Sequence, residues 1–311
     1  MSHRLWIVVP VYFDVESFLI LREQALKVLE REDVTAEPRF AVLDDSAGRD
    51  LRFDELAELA DVRVIRAPFN LGHQRGIVHA LRILGPEITD EDIVVTMDSD
   101  GEDRPEDLPR LLAELHDAPP HSRRAALALR TRRRTSVAFK IFYFFFRLFF
   151  RLLTGTSVRT GNFAAYKGWL AKHMLTHPYF DLCYSSTLLT LDLDLEFIPC
   201  ERGERYAGQS RMGFSKLFMH GLRMLMPFMD RIAIRALLLF SITLATSLAG
   251  GVVVVTIKLL TDAAVPGWAT NAVVGMLILS FLALANSVTL FAVFSQSRAI
   301  SLANLEDHDD A

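Results

Sequence analysis

Short apolar runs alternate with amphipathic stretches through the first 130 residues of the chain. The runs have the length of buried strands and lie at 6–12, 40–43, 62–65, 93–97 and 125–129. The stretches between them carry helix-start residues and lie at 15–30, 73–84 and 106–115. Strands that alternate with helices predict βαβ units, and hence an α/β fold with a mostly parallel sheet.

Two longer apolar stretches follow near the other end of the chain. Residues 236–257 and 271–294 contain no charged residue, and each exceeds the roughly 20 residues that cross a bilayer as a helix. We therefore predict a transmembrane hairpin, with a buried pair of soluble helices as the alternative. Arg231 and Arg235 precede the first stretch and Arg298 follows the second, so the positive-inside rule predicts cytoplasmic termini.

Two further segments combine basic and aromatic residues. In 137–153, Lys140, Arg147 and Arg151 share one helical face and the other faces are rich in Phe and Leu. This pattern predicts a helix lying in the membrane interface. A third span is the alternative, which three charges within one helix disfavour. Segment 213–231 has the same character and predicts a second amphipathic helix.

Composition and charge narrow the possible partners. The chain has 311 residues, 51% of them hydrophobic, and a net charge of -4. Its basic residues crowd 123–151 and 202–235, where they are interleaved with Phe, Leu and Met, so we do not expect nucleic acid binding. The two cysteines have no metal-binding spacing, which indicates reduced thiols. The N-terminal apolar run is too short for a signal peptide.

Polar clusters stand where three predicted strands end. They are Pro10-Val11-Tyr12, Asp44-Asp45-Ser46 and Asp98-Ser99-Asp100. The carboxyl ends of parallel strands meet at one edge of a sheet, where ligands bind. Two carboxylates spaced one apart suit Mg²⁺ or Mn²⁺, which takes phosphate oxygens as further ligands. Taken alone, the third cluster could equally be a solvated acidic loop.

The order of these motifs carries a resemblance. Together with Asn70-Leu71-Gly72-His73-Gln74 and the continuation Gly101-Glu102-Asp103-Arg104-Pro105-Glu106, they resemble the family 2 glycosyltransferases of the Rossmann-like GT-A fold. More narrowly, the chain is similar to the polyprenyl-phosphate glycosyltransferases, the group of dolichyl-phosphate mannose synthase and the bactoprenol glucosyltransferases. It departs from their pattern at Phe13-Asp14 (Asn-Glu), Ser46-Ala47 (Gly-Ser), Glu102 (Gln) and Asn162 (Asp).

The resemblance assigns roles residue by residue. It implies catalytic roles for Asp98, Asp100 and Arg205, and a divalent metal on Asp98 and Asp100. The nucleotide-sugar would be held by Pro10, Tyr12, Asp44, Asp45, Asn70, Gly72, Gln74, Asp98 and Ser99. The acceptor phosphate would be held by Arg130, Arg133, Ser136, Arg205 and Ser210, with Arg134 as an alternative to Arg133. A structural role at a helix start is the alternative for His73 and Gln74.

The resemblance also implies the activity and the organisation. We expect inverting sugar transfer from a UDP- or GDP-linked donor to polyprenyl (undecaprenyl or decaprenyl) phosphate, at the cytoplasmic face of the inner membrane, in cell-envelope synthesis. A processive polysaccharide synthase and a non-catalytic nucleotide-binding anchor are the alternatives, and a homo-oligomer stays open. The expected parts are 1–136 (donor and metal), 137–212 (acceptor), 213–231 (juxtamembrane helix), 232–297 (two spans) and 298–311 (acidic tail).

Overall fold

The computed structural model describes residues 3–130, 137–157, 160–207, 214–261 and 267–297. The chain forms two compact units. The first comprises Met1–Phe150 and Thr156–Pro227, and the second comprises Arg151–Gly155 and Phe228–Ala311. The first unit contains the sheet.

Seven strands form this sheet in the order β3-β2-β1-β4-β6-β5-β7. They are β1 (Arg4–Val11), β2 (Glu37–Asp44), β3 (Val62–Arg66), β4 (Ile93–Thr96), β5 (Arg124–Arg130), β6 (Thr160–Lys167) and β7 (Asp194–Cys200). Strand β6 pairs antiparallel with both β4 and β5, whereas the other pairs are parallel. The predicted α/β fold with a mostly parallel sheet is therefore confirmed.

Eight helices lie wholly or partly in this first unit. They are α1 (Val15–Arg31), α2 (Phe53–Leu56), α3 (His73–Leu84), α4 (Leu108–Ala113), α5 (Val137–Thr154), α6 (Gly168–Met174), α7 (Tyr184–Leu188) and α8 (Phe214–Leu225). Helix α3 has the predicted bounds. The helix predicted over 106–115 is shorter, because a 3₁₀ turn at Pro105–Asp107 precedes α4.

The core is built on alternate residues of the central strands. Leu5, Ile7 and Val9 of β1 are fully buried and belong to one cluster with the apolar faces of α1 and α4. Helix α3 packs against β1 and β2, where Gly76 lies close to the side chain of Leu43. A strand whose successive residues are all buried must be covered on both faces, which explains the continuous apolar run of β1.

The strand directions decide what meets at the functional edge. Strands β1, β2, β4 and β5 end there at Val11, Asp44, Thr96 and Arg130. Because β6 runs the other way, it contributes its first residues, Thr160–Asn162, to the same edge. This edge therefore gathers strand ends from β1, β2, β4 and β5 and one strand beginning.

The second unit contains two long apolar helices, α9 (Met229–Leu260) and α10 (Trp268–Ser297). By length and composition, the segments Phe218–Leu260 and Trp268–Val293 could each cross a membrane. The two helices pack together, with Met276 against Gly250. The helix predicted over 213–231 is interrupted, since a 3₁₀ turn at Met226–Phe228 separates α8 from α9. Pro227, which lacks an N–H, lies in this turn.

Candidate active site

The loop after β4 is an acidic turn folded around its own carboxylates. The backbone N–H of Asp98 donates to Asp103 Oδ2 at 3.0 Å, and that of Glu102 donates to Asp100 Oδ1 at 3.0 Å. The side chains of Asp98 and Asp100 keep 23% and 15% of their exposure, so both can reach a ligand in the edge. The structure thus brings the two predicted metal-binding carboxylates into one turn.

Asp100 sits in an excess of negative charge. Burial, with the nearby charges of Asp98 and Glu102, raises the pKa of Asp100 to about 7. A divalent cation would relieve this repulsion. In the part of the chain that the structure describes, no three His, Cys, Asp or Glu side chains are grouped to hold a metal. Two carboxylates alone suit a Mg²⁺-like ion that takes its remaining ligands from water and phosphate.

Arg130 ends β5 next to this turn. Its Nη2 lies 2.9 Å from Asp103 Oδ1 and 3.6 Å from Asp98 Oδ2. The charge of Asp103 raises the pKa of the guanidinium, which stays protonated. Gly161 makes room for it, because a Cβ there would lie 2.8 Å from the guanidinium carbon. Arg130 therefore neutralises the acidic turn from the side of β5 and β6.

Residues 201–207, which we call the covering segment, lie over the other side of the turn. Arg205 Nη2 lies 2.7 Å from Asp100 Oδ2, and its Nε lies 3.0 Å from Glu102 Oε1. Arg202 also pairs with Glu102. The Tyr206 ring packs on Gly101, whose φ of 86° and lack of a Cβ permit the contact. Two arginines thus act as counter-ions of the acidic turn.

The aspartates after β2 fold their own loops. Asp44 accepts hydrogen bonds from the backbone of Ser46 and Gly48, at 2.8 and 2.9 Å. Asp45 accepts from the backbone of Leu71 and Gly72, at 2.6 and 3.0 Å. Burial raises the pKa of Asp45. Both carboxylates therefore shape the predicted nucleoside site, whatever contacts they make with a ligand.

Aromatic rings stand at the end of β1. Pro10 is buried in the strand, whereas Tyr12 and Phe13 are exposed and meet edge to face at 4.9 Å between ring centroids. Phe13 has a φ of 49°, an uncommon backbone conformation for a bulky residue. The Arg49 guanidinium lies 5.8 Å from the Phe13 ring centroid. This exposed aromatic surface can stack a nucleobase.

Buried amides connect α3 to the acidic turn. The backbone N–H of Ser185 donates to Gln74 Oε1 at 2.9 Å, and Gln74 Nε2 donates to Asn162 Oδ1. Asn162 Nδ2 then donates to Asp98 Oδ1 at 2.9 Å. Gln74 was predicted to contact the donor, and Asn162 was noted only as a departure from the family pattern. The structure places both behind Asp98.

A cavity of about 390 Å³ opens beside Asp98. One end is polar and is lined by His73, Gln74, Asp98, Arg130 and Asn162. The other end is apolar and is lined from α5 and α8 by Tyr143, Phe145, Phe146, Phe149, Phe218, Leu222, Met224 and Leu225. His220 of α8, predicted only as part of a basic helix face, also lines it. The cavity can accommodate a ligand that is polar at one end and apolar at the other.

The remaining predicted residues are placed as follows. Ser99 is buried in the acidic turn, and Asn70 Nδ2 donates to Asp45 Oδ2 at 3.2 Å. Arg133, Arg134, Ser136 and Ser210 lie outside the described residues. The sequence reasoning missed the part of Asp103 in this site. Its burial beside an arginine depends on contacts between distant strands.

Comparison with solved structures supports the fold. Mannosyl-3-phosphoglycerate synthase from Rubrobacter xylanophilus aligns with 14% identity and a TM-score of 0.51, over 74% of each chain. Glucosyl-3-phosphoglycerate synthase from Mycobacterium tuberculosis, in complex with Mn²⁺ and UDP, aligns with 15% identity and a TM-score of 0.45, over 74% of this chain and 80% of that one.

A third structure spans the whole chain. A mannosyltransferase from Pyrobaculum calidifontis, in complex with GDP-mannose and Mn²⁺, aligns with 15% identity and a TM-score of 0.44, over 100% of this chain and 80% of that one. No curated protein matches the sequence. The model of the family described as glycosyl transferase family 2 matches residues 6–173, more than half of the chain. The chain therefore belongs to glycosyl transferase family 2.

Proposed function

We propose that this transferase moves a sugar from a UDP- or GDP-linked donor to a polyprenyl phosphate at the cytoplasmic face of the membrane. The observation that carries the proposal is the cavity beside Asp98. Its polar end adjoins the acidic turn, and its apolar end is lined by aromatic and aliphatic side chains of α5 and α8. A lipid phosphate has this same division between a charged head and an apolar chain.

The donor would bind along the functional edge. Tyr12 and Phe13 offer aromatic faces for the base, next to the loops that Asp44 and Asp45 fold. Asp98 and Asp100 would hold Mg²⁺ or Mn²⁺, which acts as a Lewis acid on the donor diphosphate. Arg205, now paired with Asp100, lies where its guanidinium could turn to phosphate oxygens.

Exposed apolar surface supports the membrane location. Phe144, Phe145 and Phe149 of α5, together with Phe218 and Met219 of α8, are all largely exposed. An exposed apolar surface of this extent marks an interaction with a partner or a membrane. We infer that both helices lie in the interface and that α9 and α10 span the bilayer, with both termini in the cytoplasm.

The acceptor needs little activation. A phosphate oxygen is ionised near neutral pH, so it can attack the anomeric carbon without a protein base. The bond from this carbon to the donor diphosphate breaks, and the nucleoside diphosphate leaves with the electron pair. Asn162 fits this chemistry, because its amide cannot accept the proton that a general base would take. Catalysis then rests on position and charge stabilisation.

A transfer assay with radiolabelled UDP-glucose and GDP-mannose tests the proposal. The purified full chain is incubated with each donor, Mn²⁺ and an extracted membrane lipid fraction. Label in a lipid that mild acid releases is the expected result. Label in a polymer would instead identify a processive synthase, and absence of transfer with intact donor binding would identify a non-catalytic binder.

A further inference from the structure

Two imidazoles face each other inside the cavity. His73 is the first residue of α3, and His220 lies in α8. Their ring centroids are 5.4 Å apart and the ring planes are inclined by 48°. Both residues line the cavity and both are partly buried. The pair therefore joins the sheet-bearing part of the first unit to the helix that carries the apolar wall.

Neither imidazole has a protein partner among the described residues, since no hydrogen bond or ion pair engages either ring. A neutral imidazole carries one N–H donor, and a protonated one carries two. A partly buried donor without an acceptor is unfavourable unless a ligand or water satisfies it. Two such donors side by side are suited to one acceptor group with several oxygens.

The other charged groups of the cavity favour this use of the histidines. Arg130, the strongest cation that lines it, is already paired with Asp103 and Asp98. One guanidinium against two carboxylates leaves a net negative charge, which by itself repels an anion. An anionic head group in this cavity therefore requires further donors, and the two imidazoles are the nearest ones that the structure leaves available.

The position of the pair indicates which anion. His220 is flanked in α8 by Phe218 and Leu222, which line the apolar end. His73 begins a twelve-residue helix, whose first N–H groups and dipole add to the attraction for an anion. An anion held here would have its apolar substituent directed along α5 and α8. This geometry fits a phosphate monoester of a long apolar alcohol.

We propose that His73 and His220 together bind the phosphate of the lipid acceptor, each donating one imidazole N–H to its oxygens. This inference rests on the proposed function for the identity of the lipid, but the phosphate site can be measured without transfer. Inorganic phosphate shares the same head-group chemistry, so the experiment must separate the two sources.

The test is a thermal-shift measurement on the full chain in detergent. The probes are farnesyl phosphate, farnesol and inorganic phosphate, and the variants are His73→Phe, His220→Phe and the double variant. Phenylalanine retains an aromatic ring of similar size but removes both N–H groups. His79→Phe is the matched control, because His79 lies on α3 and does not line the cavity.

We expect farnesyl phosphate to stabilise the wild-type chain and His79→Phe more than farnesol does. Each single variant should weaken the affinity for farnesyl phosphate about tenfold, as for a lost hydrogen bond to a charged group. The double variant should lose the difference between farnesyl phosphate and farnesol. Stabilisation by inorganic phosphate alone, equal to that by farnesyl phosphate, would assign the site to free phosphate and overturn the lipid assignment.

Two results would overturn the proposal as a whole. One is a wild-type chain that responds equally to farnesyl phosphate and farnesol. The other is a double variant that keeps the full difference between them. The proposed function is judged separately, by sugar transfer to lipid, so a failure of one is distinguishable from a failure of the other. Where transfer occurs, the variants should raise the acceptor KM and leave the donor KM within about twofold.

Discussion

Asn162 donates a hydrogen bond from Nδ2 to Oδ1 of Asp98, and the direction of this bond follows from a backbone group. The N–H of Ser185 can only donate, so Gln74 must present its oxygen there. Gln74 then presents its amino group to Asn162, and Asn162 presents its own to Asp98. Asp98 is therefore held as an acceptor, in the form that binds a cation.

Replacing Asn162 by Asp should damage the site. The new carboxylate would accept from Gln74 and turn a second acceptor toward Asp98, so two negative groups would meet. We expect a loss of at least about tenfold in kcat/KM for the donor, from the loss of a buried hydrogen bond. Asn162→Ala, which removes the donor without adding charge, is the comparison. An Asn162→Asp variant as active as the wild type would contradict this account.

Proton and metal binding at Asp100 should compete. Because the pKa of Asp100 is raised to about 7, its carboxyl is largely protonated below that pH in the metal-free chain. The affinity for Mn²⁺, followed from the free-ion EPR signal, should therefore decline as the pH falls from about 8 to about 6. Asp100→Asn should bind Mn²⁺ weakly at every pH and should transfer no measurable sugar while remaining folded.

The same shift predicts how stability changes with pH. A carboxyl whose folded-state pKa is raised favours the folded chain below that pKa, and this contribution is lost as the pH rises through about 7. Without metal, the melting temperature should therefore fall over this range more in the wild type than in Asp100→Asn. Equal pH dependence of the two melting curves would count against the raised pKa.

Gly101 should tolerate alanine less well than Gly48. Both have a positive φ, 86° and 76°, so alanine strains the backbone at each. At Gly48 nothing lies within 4 Å of the added Cβ, whereas at Gly101 the Tyr206 ring lies at 2.8 Å. Gly48→Ala should cost about 1 kcal/mol of stability. Gly101→Ala should cost more and lower kcat, as measured by thermal melting and transfer assay. Equal effects would mean that the covering segment does not depend on this contact.

Phe149 and Phe144 provide a matched test of the apolar wall. Both belong to α5 and are mostly exposed, but only Phe149 lines the cavity. Phe149→Ser should raise the KM for a lipid phosphate about tenfold, in keeping with the roughly 1.5–3 kcal/mol gained on burying such a side chain. Phe144→Ser should leave this KM nearly unchanged, although it weakens adsorption to vesicles. The reverse order would place the acceptor elsewhere.

The sequence was sufficient for the architecture because the relevant signals are local. Buried strands read as short apolar runs, and Pro105 and Gly72 mark the starts of helical segments at 105 and 73. Family 2 membership and the α/β fold are confirmed. The roles of the individual site residues stay predictions, although the structure does bring Asp98, Asp100, Arg130 and Arg205 together.

What the sequence did not reveal depends on distant contacts. Strand β6 was not predicted, since Thr160–Lys167 is rich in small residues and has no long apolar run. The link from Gln74 to Asn162 joins residues 88 positions apart. The cavity needs α5 and α8 to lie side by side. None of these relationships leaves a periodic pattern that a single sequence would display.

The reversed direction of β6 makes one short peptide responsible for both sides of the acidic turn. Gly161 leaves space for the arginine that ends β5, and the next residue holds the aspartate beyond β4. Side chains alternate between the faces of a strand, so a slip of one position would exchange these two roles. A one-residue insertion that carried through the start of β6 would thus disable the catalytic edge without altering any residue named in it, which makes the spacing itself an inherited feature of the enzyme.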